Sequence, residues 1–287
     1  MRGGRTFAAM TLFLAFLAAV ALFSVMVQSQ GVGSLGQSAS VGAGIFALTA
    51  GLEALLLLVM TPPLTAGAIS SERQQKSFDM LMATPLTPGQ VLRGKLSAAL
   101  SYLVLLVVAA IPINVASLLF GGVTIAQVGM WLTLLLAMLF LTAVVGLWWS
   151  VTVRTTALAT AMTFVSGLVM LALAPLLYFF MLLALFSGSM NGPSCTAIAP
   201  FLLHPVAGAL ALMQPDIQLP MALPLLQSAL YVAGGFVLLV LAEWRLAALA
   251  GQRGRAPLRA LLATLLLLAV VVLLYLSPLK TFCDSML

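Results

Sequence analysis

Charge is what this sequence has least of. Of 287 residues, 12 are Lys or Arg, 6 are Asp or Glu and 1 is His, so only 6% are charged, against about 25% in an ordinary soluble domain. With 63% of the chain apolar, a soluble fold has too little polar surface to cover itself, and that class is excluded. The single histidine, His204, and two distant cysteines, Cys195 and Cys283, support neither a metal cluster nor a Cys/His catalytic pair. His204 reads as a structural or solvated residue. Alternation of polar and apolar residues is also missing from stretches such as LLATLLLLAVVVLLYL at 261 to 276, which excludes a transmembrane β-barrel.

What is present is a series of long apolar runs. A helix crosses a hydrocarbon core with about 20 residues because each adds only about 1.5 Å of rise, and a helix satisfies its own backbone hydrogen bonds in lipid. The expected fold is all-α, a polytopic transmembrane helix bundle of about seven spans, at 6 to 28, 42 to 66, 96 to 119, 129 to 150, 156 to 186, 222 to 244 and 260 to 278. If the N-terminus is cytoplasmic, Arg2, Arg5, Arg73, Lys76, Arg93, Lys95, Arg154, Arg245, Arg253, Arg255 and Arg259 lie inside and only Lys280 outside. That is the positive-inside bias. The C-terminus is then external, and the net charge of +6 reports orientation, not a nucleic-acid partner.

The first span follows Arg2 and Arg5 like a signal peptide, but its apolar core is too long and no small-x-small cleavage site follows, so it is read as a permanent helix. Residues 188 to 220 are apolar in part but broken by Pro200 and Pro205. Making them span would move Arg245, Arg253, Arg255 and Arg259 outside, so they are read as an external, re-entrant or interfacial segment packed on neighbouring helices. Pro112 and Pro175 should kink the third and fifth spans. Ala43, Ala47 and Gly51 permit close helix contact, within the chain or between subunits.

Between the second and third spans, Phe78, Leu81 and Met82 fall at i, i+3 and i+4 among Arg73, Gln75, Lys76 and Asp79. This spacing predicts a short amphipathic helix over 71 to 84, ended by Pro85. Thr87-Pro88-Gly89-Gln90 predicts a new helix start with Thr87 as N-cap, Pro88 in the first turn and Gln90 closing a capping box. The third helix should thus begin about two turns before its membrane span. Gly89, Gly94 and Lys95 nearly match a phosphate-binding loop, but Leu96 stands where a magnesium-binding hydroxyl belongs and no buried strand precedes it. The chain itself is therefore expected to hold no ATPase and to be no enzyme. Glu72 beside Arg73 lacks the partner acid or histidine that a hydrolase would need.

Two further features concern the membrane interior and the outside. Glu53 is the one acid expected near mid-membrane, where a charge is costly; it either lines a transport path or is a protonated packing residue hydrogen-bonded across helices. Cys195 and Cys283 would face the same external compartment, where thiols oxidise. An intramolecular bridge between them is expected, with two free thiols or a bridge between subunits as the alternatives.

The stretch SSERQQKSFDMLMATPLTPGQVLRGKLSAAL, from Ser70 to Leu100, closely resembles the signature of the membrane subunit of type 2 ABC transporters. There an ER pair, a short apolar helix, a Thr-Pro-Leu turn and a Gly-Lys follow the second span. WWSVTVRTTALA at 148 to 159, with Ser150 and Arg154, looks like the same family's junction of the fourth and fifth helices. The resemblance implies a permease subunit of an exporter, multi-pass in the cell's inner (plasma) membrane, with residues 1–250 as a six-helix transmembrane domain. Residues 67–95 would be its coupling loop, with Glu72, Arg73, Lys76, Phe78, Leu81, Met82, Pro85, Gly94 and Lys95 as contacts to a separate ABC ATPase. Two ATPase copies and a second membrane subunit, identical or not, are implied as partners beside membrane lipid. ATP and magnesium would bind the ATPase, and this chain no cofactor. Ser77-Phe78-Asp79 replaces the family's usual Gly-Thr-Leu, the elbow helix before the first span is missing, and residues 251–287, a linker with a seventh span and tail, are additional. The competing reading is a non-ATP-driven channel or scaffold with a similar loop.

Overall fold

The computed structural model describes residues 2–29, 35–77, 86–186 and 223–251, with isolated positions at 80, 209, 212, 262, 265, 266 and 269. The helices that can be followed among these residues are, in order, α1 (Arg2–Ser29), α2 (Leu35–Thr65), the short α3 (Ser70–Gln74), α4 (Pro88–Ala116), α5 (Ile125–Thr152), α6 (Thr156–Phe186) and α7 (Leu223–Leu249), with a 3-10 turn at Ser117–Phe120. Among the described residues there is no β-strand. Among those residues, five helical stretches are long and apolar enough to cross a membrane, beginning at Met10, Gly42, Pro88, Ile125 and Pro224. The chain is thus a multi-pass helical membrane protein. The expected seventh span, at 260 to 278, falls almost wholly outside the described residues.

α5 is the axis of the bundle. Just over half of its span (56%) is buried, against 17% of α1's, and it packs on α2, α4, α6 and α7. Two apolar clusters fill the space around it. One joins Phe13 and Leu17 of α1, Phe46 and Leu57 of α2, Leu103 and Leu106 of α4 and Leu134 and Leu139 of α5. The other joins Ile69, Leu92, Leu147, Val151 and Leu246. Since lipid is as apolar as these side chains, contact rests on fit and close packing rather than on escape from water.

Glycine decides that fit at three crossings. A Cβ on Gly235 would meet the Phe140 ring at 2.5 Å, one on Gly146 the Thr65 hydroxyl at 2.0 Å, and one on Gly42 the Gly121 carbonyl oxygen at only 1.8 Å. The Phe140 and Phe236 rings lie 5.2 Å apart at 50°, a favourable tilted pair. The small-residue row expected from Ala43, Ala47 and Gly51 is not where the tightest approach occurs. Gly51 is exposed, with nothing within 4 Å of an added Cβ, and Gly42 makes the close contact instead.

The helix start at residue 88 is as expected. The Gln90 amide donates to Thr87 Oγ1 at 3.3 Å and the Thr87 amide to Gln90 Oε1 at 2.9 Å, with Pro88 in the first turn. A second capping box, Thr124 with Gln127, carries the same Thr-x-x-Gln spacing. Gln127 also reaches out, its Nε2 donating to the Leu212 carbonyl at 2.8 Å. Ala209 and Leu212, the described positions of the segment 188 to 220, pack on the bundle. Both α4 and α6 remain helical through Pro112 and Pro175.

The amphipathic helix expected over 71 to 84 is not continuous. α3 stops at Gln74, because Lys76 takes a left-handed conformation (φ 56°). The Lys76 amide then donates to Arg73 O at 3.3 Å and the Ser77 amide to Glu72 O at 3.0 Å. Those two reversed bonds form a Schellman cap, usually built on glycine. Side-chain periodicity cannot register such a stop, since the cap is made by backbone groups.

Candidate functional site

The site residues fall into two groups, one at the charged end of the bundle and one deep inside it. At the charged end, α2 leaves its last turn and the chain passes through four turn residues, 66 to 69, into α3. Ile69, at the N-cap position of α3, offers no side-chain cap. Ser150 of α5 supplies it from across the bundle: its Oγ accepts from the Ile69 amide at 2.8 Å and the Ser70 amide at 3.0 Å. These amides are buried, and an unpaired buried amide is costly, so one hydroxyl fixes where α3 starts.

The remaining contacts tie the same turn to other helices. Lys95 of α4 donates from Nζ to the Ala68 carbonyl at 2.7 Å and to Glu72 Oε1. Arg73 donates from Nη1 to the Val151 carbonyl at 3.1 Å, a cation at the C-terminal end of a helix, where the macrodipole favours it. The Thr156 hydroxyl donates to Gln74 Oε1 at 2.9 Å. Nearby, Arg93 of α4 makes a two-pronged pair with Glu243 of α7, at 2.7 and 3.1 Å. The Arg93 side chain is 68% exposed although its partner Glu243 is only 17% exposed, whereas both Lys95 and Glu72 are part-buried, at 28% and 23% exposed, so the Lys95 pair is the less screened at its cation.

Of the residues expected to form the coupling site, Glu72, Arg73 and Lys95 are thus brought together. Lys76 stands apart as the helix-stopping residue, its side chain exposed, and Gly94 is exposed on α4 with no neighbouring atom. Phe78, Leu81, Met82 and Pro85 lie outside the described residues, as do Cys195 and Cys283. Met80 alone of that stretch is described; it is helical and 77% exposed.

Glu53 occupies the second group. It is 1% exposed, and its Oε2 accepts from Asn114 Nδ2 of α4 at 2.6 Å. The Trp131 indole N–H faces the same carboxyl without reaching a hydrogen bond of good geometry, and Glu53 Oε1 also lacks one. The acid faces the interior, as its cost in lipid requires. Trp131 stands 19 residues before Ser150 on the same helix, about 28 Å at the α-helical rise, so the cluster lies toward the far end of the bundle and not at its middle.

Sequence reasoning missed Asn114 and Glu243, and gave Ser150 no hydrogen-bonding role. Asn114 could have been found as the one amide in the third apolar run. The partner of Ser150 leaves no local signal, because two backbone amides 80 or more residues away carry no residue identity. Neither a protein-family model nor a curated protein matches the chain. The resemblance therefore stands on the stretches at residues 70 to 100 and 148 to 159 alone.

Proposed function

We propose that this chain is the permease subunit of a type 2 ABC exporter, in which a separate ATPase drives movement of a substrate across the membrane. The observation that carries the reading is the anchoring of the turn at residues 66 to 77. A loop that merely joined two spans would need no ties to its neighbours. This one is held by Ser150 on its amides, by Lys95 on its carbonyl and carboxylate, and by Arg73 on the end of α5.

In this reading the charged end is cytoplasmic, the N-terminus lies inside and the inner membrane holds about seven spans. Two ATPase subunits bind ATP and magnesium and close beneath two membrane subunits. Their closure presses on residues 78 to 84, and Phe78, Leu81 and Met82 fill an apolar groove on the ATPase. Displacement passes as a rigid-body movement into α4, which starts outside the membrane at a firm cap, and into α5 through Ser150 and Val151. Asn114 of α4 and Trp131 of α5 lie toward the remote ends of those same helices, Trp131 about 28 Å from Ser150 by helical rise, and Glu53 of α2 meets Asn114 there. A carboxyl held there is placed to feel the movement.

Co-purification tests the reading. Phe78→Asp and Leu81→Asp should abolish capture of the ATPase subunit while leaving membrane insertion intact, since an unpaired carboxylate in an apolar groove costs several kcal/mol. Normal capture by both variants would overturn the coupling assignment. So would substrate movement by the reconstituted chain without ATP, which would favour a channel.

A further inference from the structure

Three arginines stand at the charged end on three separate stretches of chain: Arg73 in α3, Arg154 just after α5 and Arg245 in α7. Ile69, Val151 and Leu246 pack in one buried cluster. Arg73 emerges one turn after Ile69, Arg154 three residues after Val151, and Arg245 next to Leu246. Burial is the first cause that disfavours the charged form of Arg73, and the like charges of Arg154 and Arg245 add to it; the Arg73 bond to Val151 O places it at the end of α5, three residues before Arg154.

Among the described residues, the acids at this rim are already engaged. Glu72 is held by Lys95 and Glu243 by Arg93, while Glu53 is buried in the far group. Among the described residues no carboxylate pairs with Arg154 or Arg245, and both are exposed. Arg73 spends one donor on Val151 O. A guanidinium carries five N–H donors in a planar fork suited to phosphate oxygens.

Their level along the bundle selects the source of the anion. Trp148 and Trp149 lie at the last turns of α5, and Trp244, 49% exposed, directly precedes Arg245. Tryptophans gather where the hydrocarbon meets the headgroups, and basic pockets between membrane helices at that level take lipid phosphates. We propose that Arg73, Arg154 and Arg245 form a seat for the headgroup phosphate of an anionic phospholipid, at the junction of α3, α5 and α7. The inference rests on the chain being membrane-embedded and not on its having an ATPase partner.

The nearby tryptophans supply the readout. The full-length protein is titrated with vesicles of brominated phosphatidylglycerol or brominated phosphatidylcholine, and quenching of tryptophan fluorescence gives their relative binding. The wild type should prefer phosphatidylglycerol, and Arg154→Gln with Arg245→Gln should remove the preference, roughly fivefold per guanidinium lost. Arg154→Lys with Arg245→Lys, which keeps the charge, should retain part of it. Equal quenching by the two lipids in the wild type would overturn the proposal and leave the cluster to an acidic protein surface. A preference surviving in the double Gln variant would also overturn it. Inorganic phosphate at millimolar concentration should not compete, and abolition of the preference by it would reassign the seat to a soluble anion. If the double Gln variant fails to fold, the wild-type lipid comparison and the phosphate arm decide the matter without it.

Discussion

The hydroxyl of Ser150 caps Ser70, 80 residues away in sequence, by accepting its amide proton at 3.0 Å while also accepting that of Ile69 at 2.8 Å. One small side chain thus replaces the cap that α3 lacks and sets the position of the charged turn against α5. Ser150→Ala leaves two buried amides without an acceptor, so unfolding in detergent should show a loss of about 1–3 kcal/mol. Under the exporter reading the variant should still bind its ATPase, yet show weaker stimulation by substrate. An unchanged denaturation midpoint would mean that water or a relaxed backbone takes over the role of the hydroxyl.

Glu53 and Asn114 separate packing from a charged role. Glu53→Gln keeps an oxygen for Asn114 Nδ2 to reach, so stability should change by under about 1 kcal/mol. Asn114→Leu removes the donor from a buried carboxyl and should cost about 1–3 kcal/mol. Transport by Glu53→Gln at the wild-type rate from pH 5 to 9 would assign the residue to packing alone.

Gly42 and Gly51 lie on the same helix and should respond oppositely to alanine. At Gly42 the new Cβ meets the Gly121 and Ser117 carbonyl oxygens, at 1.8 and 3.0 Å, and backbone cannot turn aside as a side chain can. Gly42→Ala should destabilise by about 1–3 kcal/mol. Gly51→Ala has open space and should be neutral or stabilising by up to about 1 kcal/mol. Parallel thermal unfolding of the two variants checks the contrast; equal midpoints would refute the close approach.

Lys76 pays a conformational penalty for its left-handed backbone (φ 56°), which glycine would not. Its side chain is exposed and caps nothing by itself. Lys76→Gly should therefore hold or raise stability, by up to about 1 kcal/mol. Lys76→Val, β-branched and poorly suited to positive φ, should lower it. If both substitutions destabilise equally, the side chain contributes through a contact and the Schellman stop is not the reason for its place.

The Lys95 and Glu72 pair should matter more than Arg93 and Glu243, although the latter is two-pronged. A double-mutant cycle of Lys95→Gln with Glu72→Gln should give a coupling energy of about 0.5–1 kcal/mol, while the exposed Arg93 pair should fall at a few tenths. Raising salt from 0.1 to 1 M should erase the second and only reduce the first. Equal salt dependence would show both pairs to be equally hydrated.

Sequence alone determined that this chain is helical and membrane-embedded, because composition and run length leave the backbone no other way to satisfy its hydrogen bonds in lipid. It also determined the start of α4, since Thr87, Pro88 and Gln90 act over a single turn and carry their own signal. Tertiary structure alone decided that Ser150 caps α3, that Asn114 meets Glu53 and that Arg73, Arg154 and Arg245 share one rim. These depend on which helices lie side by side and at what height, which single-chain periodicity does not encode. It also decided that α3 ends at Gln74 and not at Pro85. An apolar spacing says which face a helix would bury, but whether the helix continues was settled by backbone groups at Glu72, Arg73, Lys76 and Ser77 that have no signature in side-chain pattern.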